Sequence, residues 1–284
     1  MTLVSLPHPI VHHPFAYQFG PLQLTGFGIA ILMCFVVAQP VAQRELARRG
    51  HDPSPIPDMI FAALVGGLLG AKLYYVVILG HWDSFFDRGG FVYWGGFIGG
   101  ALAVMWVVVR KHLGLAKMAD VSAPALAAAY AVGRTGCWAV GDDYGRPWNG
   151  PLAVAFPDGA PPSSAGVMAR DFGVAMPPGA NPATVLSVYP TQLLEVILGL
   201  VAFGVLWRLR DHKHAEGWLF GVYCVLMGVE RFLIEFLRAK DDRFVAGLTY
   251  AQVIAVGFMA LGAAVMAWRW RVGEGKQGIY AVGA

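Results

Sequence analysis

The sequence predicts an all-α integral membrane protein of seven transmembrane helices, with a small irregular extracytoplasmic head between the fourth and fifth. Three observations carry this expectation. Charge is scarce: Asp, Glu, Lys and Arg make up 14% of the 284 residues, against 57% hydrophobic, and the mean hydropathy is +0.55. A soluble domain carries about 25% charged residues, so this chain cannot cover a water-facing surface of its size. Seven apolar stretches are each long enough, or nearly so, to cross a hydrocarbon core about 30 Å thick as a helix. Lys and Arg also gather in alternate loops, as they do on the cytoplasmic side of polytopic proteins. Disorder is excluded, because Leu, Val, Ile and the 9 Trp, 10 Tyr and 17 Phe are spread along the whole length.

The predicted spans are Leu22–Ala42, Met59–Leu79, Phe91–Val109, Val121–Val140, Gln192–Trp207, Trp218–Leu237 and Leu248–Trp268. No β-barrel alternation is present. Met1–Ile10 has no Lys or Arg to form the positive region of a cleaved signal peptide, so insertion is expected to rest on the first span. Arg44, Arg48 and Arg49 follow span 1; Arg110, Lys111 and Lys117 follow span 3; Arg208, Arg210 and Lys213 follow span 5; Arg269, Arg271 and Lys276 follow span 7. These are 12 of the 21 basic residues, whereas the opposite side has Arg88, Arg146, Arg170, Arg238, Lys240 and Arg243. The bias predicts the N-terminus outside and the C-terminus in the cytoplasm. It also accounts for the net charge of +3 without nucleic acid as a partner.

The one long connection, 141–189, holds 8 of the 18 prolines and six charged residues. It lies on the predicted outer side. Pro161–Pro162 and Pro177–Pro178 predict an irregular cap rather than a helix. The three cysteines, Cys34, Cys137 and Cys224, show no CxxC spacing, so neither a disulfide framework nor a zinc site is expected. No internal repeat is visible.

Ionisable groups inside spans are costly and by default face the bundle interior at a working site. In the predicted topology Arg134 lies six residues from the outer end of span 4, about 9 Å deep at 1.5 Å per residue. Arg231 and Glu235 fall in the outer half of span 6, Gln192 and Glu195 in the first turns of span 5, and Lys72 in the outer half of span 2. Tyr93-Trp94-Gly95-Gly96 opens span 3. Five spans thus place polar groups near the outer leaflet. A transporter would carry them near the midplane, often in repeated halves. Arg134 and Arg231 offer planar donor forks suited to a phosphate, and an anionic lipid head group is the expected ligand at that depth. Glu235, four residues after Arg231, would hold or neutralise its guanidinium; the bland alternative is an Arg–Glu pair that only joins helices.

The run Gly133-Arg-Thr-Gly-Cys-Trp-Ala-Val-Gly-Asp-Asp-Tyr-Gly-Arg-Pro147 is the most informative. Its glycines let the backbone bend at the membrane surface, with Arg134, Asp142, Asp143 and Arg146 around the bend. A glycine-rich exit with solvated charges would explain Asp143 well and Arg134 poorly.

Here the sequence resembles the prolipoprotein diacylglyceryl transferase family. The resemblance is collinear over nearly the whole chain. It runs through Gly20-Pro-Leu-Gln-Leu24, Trp94-Gly-Gly-Phe-Ile-Gly99, the Gly133–Pro147 run, Ser187-Val-Tyr-Pro-Thr-Gln-Leu-Leu-Glu195 and Arg231-Phe-Leu-Ile-Glu-Phe-Leu-Arg238. It implies transfer of a diacylglyceryl group from phosphatidylglycerol to the lipobox cysteine of a prolipoprotein signal peptide, in the bacterial inner membrane, with a thioether formed and glycerol phosphate released. No cofactor and no metal is implied. Arg134, Arg231, Glu235 and Glu195 would be the catalytic set. Arg134, Arg146, Asp142, Gln192, Tyr93, Trp94, Gly95 and Phe27 would line the substrate site. The chain departs from the family at Trp94, usually histidine, at Phe27, usually tyrosine, and at Cys137, usually asparagine. Trp94 and Phe27 cannot act as bases, so proton transfer would pass to Glu195, Asp142, Glu235 or Tyr93. The rival readings are a non-catalytic phospholipid-binding membrane protein and a transferase with another acceptor.

Other signals carry structural readings. His8, His12 and His13 have no neighbouring carboxylate or cysteine in sequence and read as interface residues rather than metal ligands. Gly66 with Gly70, and Gly95 and Gly96 with Gly99 and Gly100, have the spacing of close helix contacts. Trp82, Trp207, Trp218, Trp268 and Trp270 fall at span ends, where membrane lipids meet aromatic belts. Cys137 reads as a small apolar filler.

Overall fold

The computed structural model describes residues 10–20, 22–86, 90–176, 178–240, 243–245 and 247–273. His8, Arg88, Pro177 and Lys276 lie outside the described residues, as do Met1–Pro9 and the side chains of Arg243 and Arg271. The chain is mostly helical: α1 (Gly26–Arg48), α2 (Pro55–Leu79), α3 (Tyr93–Arg110), α4 (Leu115–Val140), α5 (Ala165–Phe172), α6 (Thr191–Leu209), α7 (Trp218–Ile234) and α8 (Tyr250–Gly273). Every predicted apolar stretch holds one of the long helices. Among the described residues five of them, α1, α2, α3, α6 and α8, are long and apolar enough to cross a membrane. Their outward faces carry exposed Leu32 and Val36, Leu68 and Val77, Ile98 and Leu102, Ile197 and Val201, and Leu261, as a lipid-facing surface would.

The two long helices outside that group have physical reasons to differ. Helix α4 packs against α1, α6 and α7, with Val121, Ala123, Ala127 and Ala131 buried. A helix wrapped by protein can carry small residues and charge in place of lipid-facing bulk. Helix α7 is 17 residues long and ends at Ile234, three residues before the predicted end. Elsewhere the boundaries shift at capping groups. Helix α1 begins at Gly26, where Thr25 Oγ1 accepts from Gly28 N–H at 3.1 Å, and residues Leu22–Thr25 instead pair with Ala16–Phe19 in an antiparallel hairpin.

The helices associate through small residues. A Cβ at Gly70 would lie 2.3 Å from the Gly95 carbonyl oxygen, and one at Gly99 2.4 Å from that of Gly66, so α2 and α3 meet backbone to backbone. Gly221, Gly228 and Gly262 bring α7 and α8 together in the same way.

Segment 141–189 departs from the irregular cap expected of it. It contains α5, whose first turn is capped by Ser164, and strands Val154–Ala155 and Ser187–Val188. Pro161 and Pro162 precede the helix and do not interrupt it. The N-terminal strand Ile10–Val11 pairs in parallel with Val154–Ala155, giving a three-stranded sheet. Beneath it Tyr144, Phe156, Met168 and Val188 form a separate apolar cluster. His13 is not carboxylate-free: its Nδ1 lies 2.8 Å from Asp158 Oδ2, a partner 145 positions away that sequence spacing does not reveal.

The opposite end of the bundle, where the sequence gathers its basic residues, holds a polar brace. Buried Asp120 accepts from the N–H groups of Gly217 at 2.8 Å and Phe220 at 2.9 Å, closing the N-terminus of α7. Buried Glu45 holds Arg49 Nε at 2.7 Å.

Candidate functional site

The C-terminal end of α4, the start of α6 and the end of α7 converge on a cluster of ionic groups. Arg134, one and a half turns before the end of α4, reaches across to α6. Its Nε donates to Glu195 Oε2 at 2.7 Å and its Nη2 donates to the same oxygen, while Nη1 donates to Asp143 Oδ2 at 3.0 Å. Arg231 on α7 pairs through Nη2 with Glu235 Oε2 at 2.8 Å, one turn on, and its Nη1 lies 3.7 Å from Glu195 Oε1. Arg238 closes the ring, with Nη2 2.6 Å from Asp143 Oδ1. Three guanidiniums from α4 and the α7 end are thus interleaved with three carboxylates. Burial of so many charges is tolerable only because each guanidinium has a partner.

The backbone that positions them depends on the glycine-rich run. Helix α4 stops at Gly141, whose φ of +67° is the left-handed conformation that glycine adopts at no steric cost. The next residues fold back over the end of α6: Gln192 Nε2 donates to the Asp142 carbonyl at 2.6 Å and Thr191 Oγ1 to the Asp143 carbonyl at 2.7 Å. Gly145 must lack a side chain, since a Cβ there would lie 2.5 Å from the Leu237 carbonyl oxygen. Arg146 N–H donates to that same carbonyl at 2.8 Å, and Arg146 Nε to the Arg238 carbonyl at 2.9 Å. The run after α4 is therefore bonded to the segment after α7, and the ionic ring forms where they meet.

The two adjacent aspartates differ. Burial, helped by repulsion from Asp143, pushes the Asp142 carboxyl up to about 6, and no cation lies within ion-pair distance of it among the described residues. Burial also disfavours the charged form of Asp143, but Arg238 and Arg134 outweigh it and hold that carboxyl down to about 2. The solvated Asp143 expected from sequence is instead a bridge between two arginines.

Most of the expected site residues come together here: Arg134, Arg231, Glu235, Glu195, Gln192, Asp142 and Arg146. Arg134 is not a free fork, because Glu195 and Asp143 occupy it; its side chain is 13% exposed, against 33% for Arg231. Phe27 packs at the back of the run, where a Cβ on Gly136 would lie 3.3 Å from Phe27 Cα. Tyr93 and Trp94 are exposed on α3 and contact Phe97 and each other, making no hydrogen bond to the ionic ring among the described residues. Gly95 is buried in the α2–α3 contact. Lys72 is buried on α2, its Nζ 4.9 Å from the Phe91 ring centroid.

Sequence reasoning missed three members. Arg238 and Asp143 read as surface charges because each lies just beyond a span end. Glu230 sits within α7, and the rule that singles out Arg231 applies to it equally. It is buried, and its Oε1 shares a hydrogen bond with Tyr130 Oη at 2.9 Å. Cys137 Sγ, 3.4 Å from Arg134 Nη1, lies close to the carboxylates of Asp142 and Asp143.

The family model for prolipoprotein diacylglyceryl transferase matches residues 14–268. A phosphatidylglycerol–prolipoprotein diacylglyceryl transferase of Clostridium tetani is 29% identical over 257 residues, covering 88% of this chain and 94% of that protein. Proteins of the same description from Geobacter sulfurreducens and Burkholderia thailandensis are each 28% identical, covering 92% of this chain and 97% and 95% of theirs. These matches span the ionic ring and every helix that contributes to it, and the chain belongs to the prolipoprotein diacylglyceryl transferase family.

Proposed function

We propose that this protein transfers the diacylglyceryl group of phosphatidylglycerol to the lipobox cysteine thiol of prolipoproteins, forming a thioether and releasing glycerol phosphate. Family membership and the relatives' activity support the reaction. The observation that carries the site is the ring of Arg134, Arg231 and Arg238 with Glu195, Glu235 and Asp143, gathered from three helix ends.

The enzyme lies in the bacterial inner membrane, crossing it seven times, with the N-terminus outside and 141–189 as an extracytoplasmic head. The strand pairing supports this count. Ile10–Val11 pairs with Val154–Ala155, so an even number of crossings separates them, and four long helices, α1 to α4, lie between. Gly145 bridges Arg238, with α6 and α7 between. If the five apolar helices cross, α4 and α7 cross as well.

The chemistry sets the roles. The leaving group is a phosphate ester, so cations must hold the head group and stabilise the departing charge. Arg231, the more open of the pair, takes the phosphate first, and Arg134 turns to it from Glu195. Glu235 orients Arg231. The attacking thiol, with an ordinary pKa of about 8.5, must lose its proton. Asp142 takes it: the carboxyl is half-buried, has no cation within ion-pair distance among the described residues and is poised near neutral pH. Gln192 and Arg146 fix the bend that presents Asp142. The exposed rings of Tyr93, Trp94 and Phe27, with Gly95 beneath, border the path of the acyl chains, and the head receives the signal peptide.

The test is transfer from labelled phosphatidylglycerol to a lipobox peptide by the purified protein, with a family enzyme of proven activity alongside. Arg134→Ala and Arg231→Ala each reduce transfer by about 10²-fold or more while the protein remains folded. Absence of wild-type transfer where the control enzyme works would reject the reading.

A further inference from the structure

Tyr130 Oη lies between two buried carboxylates, 2.9 Å from Glu230 Oε1 and 3.5 Å from Glu195 Oε1. A tyrosine hydroxyl supplies one proton and can bond only one of these oxygens at full strength; a second proton on one of the acids lets the hydroxyl bond both. The surroundings decide which. Glu195 faces Arg134, at 2.7 Å from Nε, and Arg231, at 3.7 Å. Glu230 faces Tyr130 and Arg134 from α4, Glu195 from α6 and, on its own helix, Arg231 and Tyr223. None of these cations lies within 4.0 Å of it among the described residues. Helix α8, which also packs on α7, brings no Asp, Glu, Lys, Arg or His between Tyr250 and Trp268. A lone carboxylate at such a depth is far costlier than a carboxyl.

We propose that Glu230 holds the second proton and that Tyr130 passes it to Glu195, which delivers it to the departing phosphate. This rests on the transferase reading above. In the resting protein the Glu230 carboxyl donates to Tyr130 Oη, and the tyrosine hydroxyl points at the ionised Glu195. A phosphate head group draws Arg134 and Arg231 off Glu195. The stranded carboxylate then takes the tyrosine proton, and the tyrosine takes the one on Glu230. In the transfer step the thiolate forms the S–C bond to the glyceryl carbon as the C–O bond breaks, its electron pair going to the phosphate oxygen. That oxygen takes the proton from Glu195. Glu230 recovers a proton from water, while Asp142 releases the thiol proton to water, so the cycle balances. Glu195 is the group that meets the leaving oxygen; Tyr130 and Glu230 act through it as positioning residues.

The experiment compares wild type, Tyr130→Phe and Glu230→Gln in the same transfer assay across pH. Two donors are used: phosphatidylglycerol, and an analogue with sulfur as the bridging leaving atom, which departs without protonation. The expected result is a fall of about tenfold or more in kcat for each variant, with KM for the lipid within twofold. The alkaline limb of the wild-type kcat profile, which reports the acid, disappears, and the sulfur-bridged donor restores the variants to within about threefold of wild type. Tyr130→Phe keeps the helix packing, and a Tm in detergent within a few degrees of wild type shows that each variant is folded. Variants that keep the alkaline limb, or lose the same fraction of rate with both donors, would overturn the relay while wild-type transfer leaves the transferase reading standing. A wild type inactive with phosphatidylglycerol would overturn both.

Discussion

Two adjacent aspartates with identical side chains are set to opposite tasks by what surrounds them. Asp143, between Arg134 and Arg238, is a permanent anion that links α4 to the segment after α7. Its contribution to stability is fully present above the ordinary carboxylate range near pH 4 and is lost as pH falls towards about 2. Asp142, half-buried without a cation, is raised to about 6 and passes between its neutral and ionised forms just below neutral pH. As the thiol's base it gives a kcat/KM that climbs about tenfold per pH unit below pH 6 and then levels. Asp142→Asn lowers kcat/KM by about 10²-fold or more at pH 7 and abolishes that acid limb, which a pH–rate profile of the two proteins checks. The sequence made Arg134 and Arg231 conspicuous because charge inside a span has few innocent explanations. It did not show that Arg134 is already engaged, since Glu195 lies 61 positions away. Arg238 and Asp143 were hidden by their place just past the span ends, where solvent would serve equally well.

At the level of elements, the helices were legible and their ends were not. Apolar length places a helix in a bilayer, but its terminus is set by local bonds: capped by Thr25, α1 starts four residues after the apolar run begins. The long connection was misjudged because prolines bar a helix only where they stand, leaving Ala165–Phe172 free once Ser164 could cap it. Glycine spacing, by contrast, reads directly as contact. Gly70→Leu forces α2 and α3 apart at the point where a Cβ already meets the Gly95 carbonyl. Overpacking of this kind costs about 1–3 kcal/mol, and the variant shows a lower Tm in detergent, whereas Gly204→Ala, in the interior of α6 with open space around its Cβ, does not.

On the scale of the whole molecule, the hydropathy pattern gave the class, and pairing between distant segments supplies what hydropathy leaves open. Helix α4 falls short of the apolar standard because its neighbours shield it, yet Ile10 opposite Val154 requires an even number of crossings between them. In a variant whose three native cysteines are replaced, a cysteine at Leu152 reacts with a membrane-impermeant thiol reagent added to spheroplasts. One at Lys213 reacts only after lysis. The reverse pattern would overturn the orientation.

The same parallel pairing of Ile10–Val11 with Val154–Ala155 also imposes a schedule on synthesis. The first strand leaves the ribosome 144 residues ahead of its partner. At about 5–20 residues per second that is a wait of roughly 7–30 s. In the topology proposed above, an N-terminal strand with unpaired backbone groups stands on the membrane surface for that interval while α1 to α4 insert. Translation speed and membrane-side chaperones therefore bear on the yield of this protein through a two-residue strand far from its chemistry.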